Sequence, residues 1–155
     1  MARNQVDDID RGFKKFARSM NTADGSYTKV GVQQGTTHES DGDISDMVLI
    51  AAFNEFGTDK IPSRPALRNS LDSNKEKIFA FSEKLLAGVM SGRLTTRQAL
   101  SALGEFQQSN MQKSITKLRD PANAPKTVKK KGSSNPLVDT GFYRTRAIQH
   151  VEVIK

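Results

Sequence analysis

Two prolines three residues apart, in Ile61-Pro62-Ser63-Arg64-Pro65, constrain this chain more than any other feature, because a regular helix cannot run through them. Each ring fixes its own φ and pushes the residue before it out of the helical region. Upstream, Phe56-Gly57-Thr58 ends an apolar helical run with a residue free to adopt positive φ. Residues 54–71 (NEFGTDKIPSRPALRNSL) therefore read as a helix stop, a stiff exposed strap and a new helix start. Arg64, held between two prolines, can offer its planar fork to a carboxylate at little entropic cost. Glu55, from the same chain or from a neighbouring copy, is the candidate partner. A strap pinned to its own domain is the alternative.

Periodicity organises the rest of the chain. Val6, Ile9, Phe13, Phe16 and Met20 recur at helical spacing and predict an amphipathic helix over residues 5–20. Thr28, Val30 and Val32 alternate with polar or small residues and predict a strand over 27–33. Residues 35–45 (GTTHESDGDIS) show no period and read as a polar, acidic loop, and Asp46 to Phe56 as a short, mostly buried helix. The capping box Ser73-x-x-Glu76 predicts the start of a long helix with Ile78, Phe81, Leu85 and Val89 on one face, ended by Gly92. A second box, Thr95-x-x-Gln98, opens another helix carrying Leu100, Leu103, Phe106 or Gln107, Met111, Ile115 and Leu118. The short connection over 91–94 makes the two an antiparallel hairpin. Gly104 inside the second helix costs about 1 kcal/mol relative to alanine, which suits a close approach to another backbone or a tolerated glycine.

Residues 119–136 hold three prolines and the run Lys129-Lys130-Lys131 with Val128 as the only large apolar residue, and read as a long, flexible basic loop. Residues 137–155 form a C-terminal strand region, with the strand over 147–154. The expected fold is α+β: a small, mostly antiparallel sheet packed against two long helices, with the N-terminal helix and basic loop attached. At 155 residues the chain buries about 70 percent of its unfolded surface and suits one domain over 1–155.

Aromatic content of 6 percent is low enough that part of the chain is expected to order only against partners. Cysteine is absent, which excludes disulfides and thiolate metal sites. The longest apolar run, Met47 to Phe53, falls far below the roughly 20 residues of a membrane span, so we expect no membrane partner and a soluble intracellular product. The net charge of +7 is unevenly placed. Residues 1–60 carry 7 Lys and Arg against 10 Asp and Glu, a net of −3; residues 61–155 carry 17 against 7, a net of +10. A polyanion or an acidic protein surface docking on the C-terminal half fits this asymmetry, as does a solvated basic surface.

Catalytic wording is missing. His38 and His150 lack neighbours at metal-site spacing, and the cluster Glu39, Asp41, Asp43 and Asp46 lacks the glycine order and closing glutamate of a calcium loop. Gly31-x-x-x-Gly35 lacks the Gly-Lys-Ser/Thr of a phosphate-binding loop. We expect no enzyme, cofactor or metal. Lys126, Lys129, Lys130 and Lys131, four lysines in six residues, are the best candidates for polyanion contact. No aromatic residue interleaves with them, so sequence-specific readout is not expected. Nonspecific DNA contact, a solvated loop and ordering against an acidic neighbouring subunit all remain open.

Two blocks of this sequence resemble a known family. Ile50-Ala51-Ala52-Phe53-Asn54-Glu55-Phe56-Gly57-Thr58 and Ile61-Pro62-Ser63-Arg64-Pro65-Ala66-Leu67-Arg68 look like the I-A-x-x-x-E-F-G-T and I-P-x-R-P-F-L-R of minor tail, tail-completion and head-tail joining proteins of long-tailed bacteriophages. Downstream, Pro125, Thr127, Lys130 or Lys131 with Gly132, and Pro136-Leu137-Val138-Asp139-Thr140-Gly141 resemble the family's P…T…K-G…P-L-x-D-T-G. The chain departs at Ala66, where the family usually carries a bulky aromatic, and at Arg146-Ala147. The resemblance implies a structural virion protein of the neck, assembled in the host cytoplasm as a ring of several copies. Its implied partners are other copies of itself and the connector, tail-terminator or tail-tube proteins. Glu55, Phe56, Arg64, Pro65, Arg68, Asp139 and Thr140 are the candidate protein-contact residues. A nonspecific DNA-binding accessory protein, driven by the basic half, is the alternative reading.

Overall fold

Residues 12–40, 43–138 and 140–155 are described by the structure, a computed structural model. The described elements are, in order, α1 (Phe13–Ala23), β1 (Tyr27–Val32), β2 (Thr37–Ser40), β3 (Asp43–Asp46), α2 (Met47–Phe56), α3 (Ala66–Met90), α4 (Thr96–Lys117), α5 (Pro125–Lys131), a π-helical turn (Tyr143–Ala147) and β4 (Ile148–Val153). The fold is α+β, as the periodicities predict. First and last strands meet: β1 pairs antiparallel with β4 from Tyr27 opposite Val153 to Val32 opposite Ile148. The α3/α4 hairpin packs on this two-stranded ribbon through α4.

The seat of α4 on the ribbon explains Gly104. A Cβ there would lie 2.6 Å from His150 Cδ2 and 2.9 Å from Thr28 Oγ1, so only glycine lets the helix come this close. One turn on, the Gln108 amide donates to the Ile148 carbonyl at 2.9 Å, while its oxygen lies 2.6 Å from His150 Nδ1. Gln108 thereby ties helix to strand by main chain and side chain together. Below it, Met111 and Ile115 of α4 enclose Ala66, Leu137 and Ile148, with Ile115 and Ile148 fully buried. A second cluster, Leu85, Val89 and Ala99, closes the hairpin end and receives Met20 from α1.

The α4 capping box forms as read, with Thr95 and Gln98 satisfying each other's backbone amides. Of the two candidates on the buried stripe, Gln107 turns inward and Phe106 stands half-buried with its ring 5.0 Å from Phe81. Three expectations need correction. Within the stretch read as a loop, Thr37–Ser40 and Asp43–Asp46 pair as the antiparallel strands β2 and β3; backbone pairing holds a polar ribbon that has no apolar period to read. The long helix starts at Ala66, not Ser73, because its end is capped from outside by a residue of α2. The segment 119–136 contains α5, which begins at a proline in the first helical turn and stops at Gly132 with φ 67°. Of the N-terminal helix, residues 5–11 lie outside the described residues, and the described part runs on to Ala23.

Gly104→Ala gains about 1 kcal/mol of helix propensity but forces a methyl into a His150 ring that Gln108 holds, an overpacking that costs about 1–3 kcal/mol. We expect a net loss of stability and a lower Tm, and recovery in Gly104→Ala/His150→Ala beyond the single variant. Thermal unfolding of the three proteins checks the coupling.

Candidate interaction site

The strap folds back on the helix before it. Gly57, with φ 78°, lets the chain turn so tightly that a Cβ would meet Ser63 N at 2.9 Å and Ile61 O at 3.1 Å. The Arg64 amide donates to the Asn54 carbonyl, the Ser63 hydroxyl to the Glu55 carbonyl, and the Thr58 amide to the Ile61 carbonyl. Pro65 is the cap residue of α3 and provides no side-chain bond to its first amides. Glu55 takes that role: its carboxylate accepts from Leu67 N at 3.2 Å and Arg68 N at 2.8 Å. A carboxylate at a helix N-terminus is also favoured by the helix dipole.

Arg64 is therefore not the exposed residue the sequence suggests, and Glu55 is not its partner. It is 7 percent exposed, and it donates through Nε to Pro121 O at 2.8 Å and through Nη2 to Ala122 O at 3.1 Å. The prolines aim the guanidinium inward and across to the residues after α4. Sequence could not show this, because the acceptors are main-chain carbonyls, which every residue has. The strap is an internal brace.

What remains exposed is the helix before it. Eight of the ten residues of α2, MVLIAAFNEF, are apolar, yet Leu49, Phe53 and Phe56, at i, i+4 and i+7, face solvent, with Phe56 72 percent exposed. Ile44 of β3 and Val48 add to the exposed apolar surface. Arg68 places its guanidinium 5.5 Å from the Phe56 ring centre, a cation–π pair on that surface. An apolar helix left half-uncovered makes α2 the candidate contact face. Its signal lay in the sequence, since a helix apolar all round needs cover on every side, but the reading of a mostly buried helix assigned that cover to the domain's own core.

The second motif block comes to the same place. Ile50 and Asn54 of α2 share a cleft of about 270 Å3 with Pro136, Leu137, Thr140, Gly141 and Tyr143. Thr140 is exposed and its hydroxyl accepts from Phe142 N at 3.3 Å, while Asp139 lies outside the described residues. At the rim, His38 stacks on Phe142 with ring centres 4.2 Å apart. Burial, with the Glu55 charge second, pushes the Tyr143 hydroxyl well above its usual titration range. The lysine cluster splits. Lys126, Lys129 and Lys130 are exposed along one side of α5, whereas Lys131 is half-buried and donates to the Asn135 and Pro136 carbonyls. Among the described residues, no group of three or more His, Cys, Asp or Glu is arranged to hold a metal ion.

Arg64→Ala should cost about 2 kcal/mol or more, roughly 4–8 °C in Tm, since it leaves two main-chain carbonyls without a charged donor. Arg64→Lys should recover only part of this, because an ammonium lacks the fork. Chemical denaturation of both variants provides the check. For Tyr143 the folded-state pKa is raised, so its contribution is complete below the unfolded value near 10 and is lost as pH rises beyond it. Tyr143→Phe should flatten the fall of Tm between about pH 9 and 11 relative to wild type. Compared with known proteins, the chain matches no protein-family model, no curated protein and no solved structure.

Proposed function

We propose that this chain is a structural protein of a phage virion neck, a tail-completion or head-tail joining subunit that works in several copies arranged as a ring. One observation carries the reading: the two motif blocks, separated by more than fifty residues, converge on one cleft behind α2. Residues that shape the strap, Glu55, Gly57, Arg64 and Pro65, are spent on holding α2 and α3 in fixed relation. That is the behaviour of a motif that builds a rigid presenting surface instead of a reactive one. The surface presented is Leu49, Phe53 and Phe56 with Arg68, and aromatic residues with arginine are the usual anchors of protein interfaces. In a ring, a heterologous contact uses two different patches of each copy. The α2 face is one such patch, and the uneven charge of the two halves favours head-to-tail pairing.

Two measurements test this reading. Lysates lacking the protein should show, by electron microscopy, separate heads and tails or joined particles unable to deliver DNA; normal numbers of infectious particles reject it. Phe53→Glu/Phe56→Glu changes exposed side chains, so its unfolding midpoint should stay within about 0.5 kcal/mol per site of wild type. Its incorporation into particles should fail.

A further inference from the structure

The lysine run of α5 is not the best-built anion surface of this chain. Lys113 and Lys117 of α4, one turn apart, form a ridge that lines two open clefts. The first, about 610 Å3, runs between the start of α3 and the end of α4 and also takes Lys77 and Arg119. The second, about 400 Å3, takes Arg144. Asp120 is the one acidic residue among those lining either cleft. Arg119 is fixed by donation from Nη1 to the Thr116 and Leu118 carbonyls. The Lys77, Lys113 and Lys117 ammonium groups make no hydrogen bond or ion pair with the described residues.

An independent observation points to a ligand at the same place. Ser70 is 2 percent exposed and its hydroxyl has no hydrogen-bond partner, and Asn110 Nδ2 is likewise buried and unpaired; both residues line the first cleft. Arg144 Nε is in the same condition in the second. Native proteins rarely leave such donors unpaired. Two unmet polar groups, Ser70 Oγ and Asn110 Nδ2, beside five cations, of which Arg144 carries the third unpaired donor, favour an oxygen-rich anion. The lining offers hydroxyls and amides with Leu118 as its only large apolar side chain and no aromatic ring. That composition suits phosphate oxygens, and it lacks the apolar anchors that centre a protein interface or stack on bases.

We propose that this double cleft binds the phosphate backbone of double-stranded DNA, with Lys113 and Lys117 as its central contacts. Sequence alone hides the site, since its cations come from α3, α4, the residue pair after α4 and the π-helical turn. The site belongs to the single subunit and does not depend on the neck assembly.

Fluorescence anisotropy of the full chain with a labelled 20-base-pair duplex, from about 50 to 200 mM salt, tests it. Each lost phosphate contact lowers the log–log salt slope by about 0.9, so Lys113→Ala/Lys117→Ala should reduce it by about 2. Both residues are exposed, and unchanged circular dichroism melting confirms that the variant folds. Lys126→Ala/Lys129→Ala/Lys130→Ala should change the slope less than the α4 pair does. The Asn110 side-chain amide resonances should shift when duplex is added. An unchanged slope in the α4 variant, a larger effect from the α5 variant, unmoved Asn110 signals, or no duplex binding by wild type at 50 mM salt overturns the proposal. Salt-sensitive self-association lost in Lys113→Ala/Lys117→Ala, without duplex binding, also overturns it and assigns the cleft to an acidic surface of another copy.

Discussion

The approach of α4 to the β1/β4 ribbon is the contact on which the rest of the structure depends. It joins the two ends of the described chain, because β1 lies near its start and β4 near its finish. Gly104 supplies the closeness and Gln108 the fixed register, donating to Ile148 O while facing His150 Nδ1. Once that register is set, Met111 and Ile115 fall over Ile148, Leu137 and Ala66, and the main core closes. Ala66 is 1 percent exposed in that core, at the position where the resembled family usually carries a bulky aromatic. A larger side chain there would demand a different packing against Met111 and Ile115.

The strap transmits this core to the surface. Arg64 reaches from the helix junction to the carbonyls beyond α4, and Glu55 closes the N-terminus of α3, so α2 and α3 cannot move independently without breaking charge-assisted hydrogen bonds. Such bonds are individually worth about 1.5–3 kcal/mol. Together they fix a helix whose outer face is Leu49, Phe53 and Phe56. A rigidly held apolar surface is what the proposed docking role calls for, since rigidity lowers the entropy lost on binding.

Positive charge is organised by other residues of this frame. The exposed lysines of α5 occupy one short helix, while Lys113 and Lys117 stand on a long one between clefts that hold unpaired donors. A net charge counted along the sequence merges the two. The fold separates them, and it also separates the cleft lysines from the exposed apolar side of α2, although α3 contributes Arg68 to the one and Lys77 to the other.

Sequence by itself determined the parts whose cause is local. Apolar period placed α4 and most of α3, the Thr95/Gln98 box set the start of α4, alternation placed β1 and β4, and the prolines interrupted the helices where they stand. These features depend on neighbours within a turn or two, which a sequence displays directly. Tertiary structure decided what depends on distant backbone. The start of α3 moved from Ser73 to Ala66 because Glu55 caps it across the strap, and Arg64 turned inward because its acceptors are carbonyls more than fifty residues away. The β2/β3 hairpin escaped reading because main-chain bonds, common to all residues, hold it. Gly104 lies between: sequence marked an expensive glycine inside a helix, and only the fold showed that His150 and Thr28 fill the space its side chain leaves.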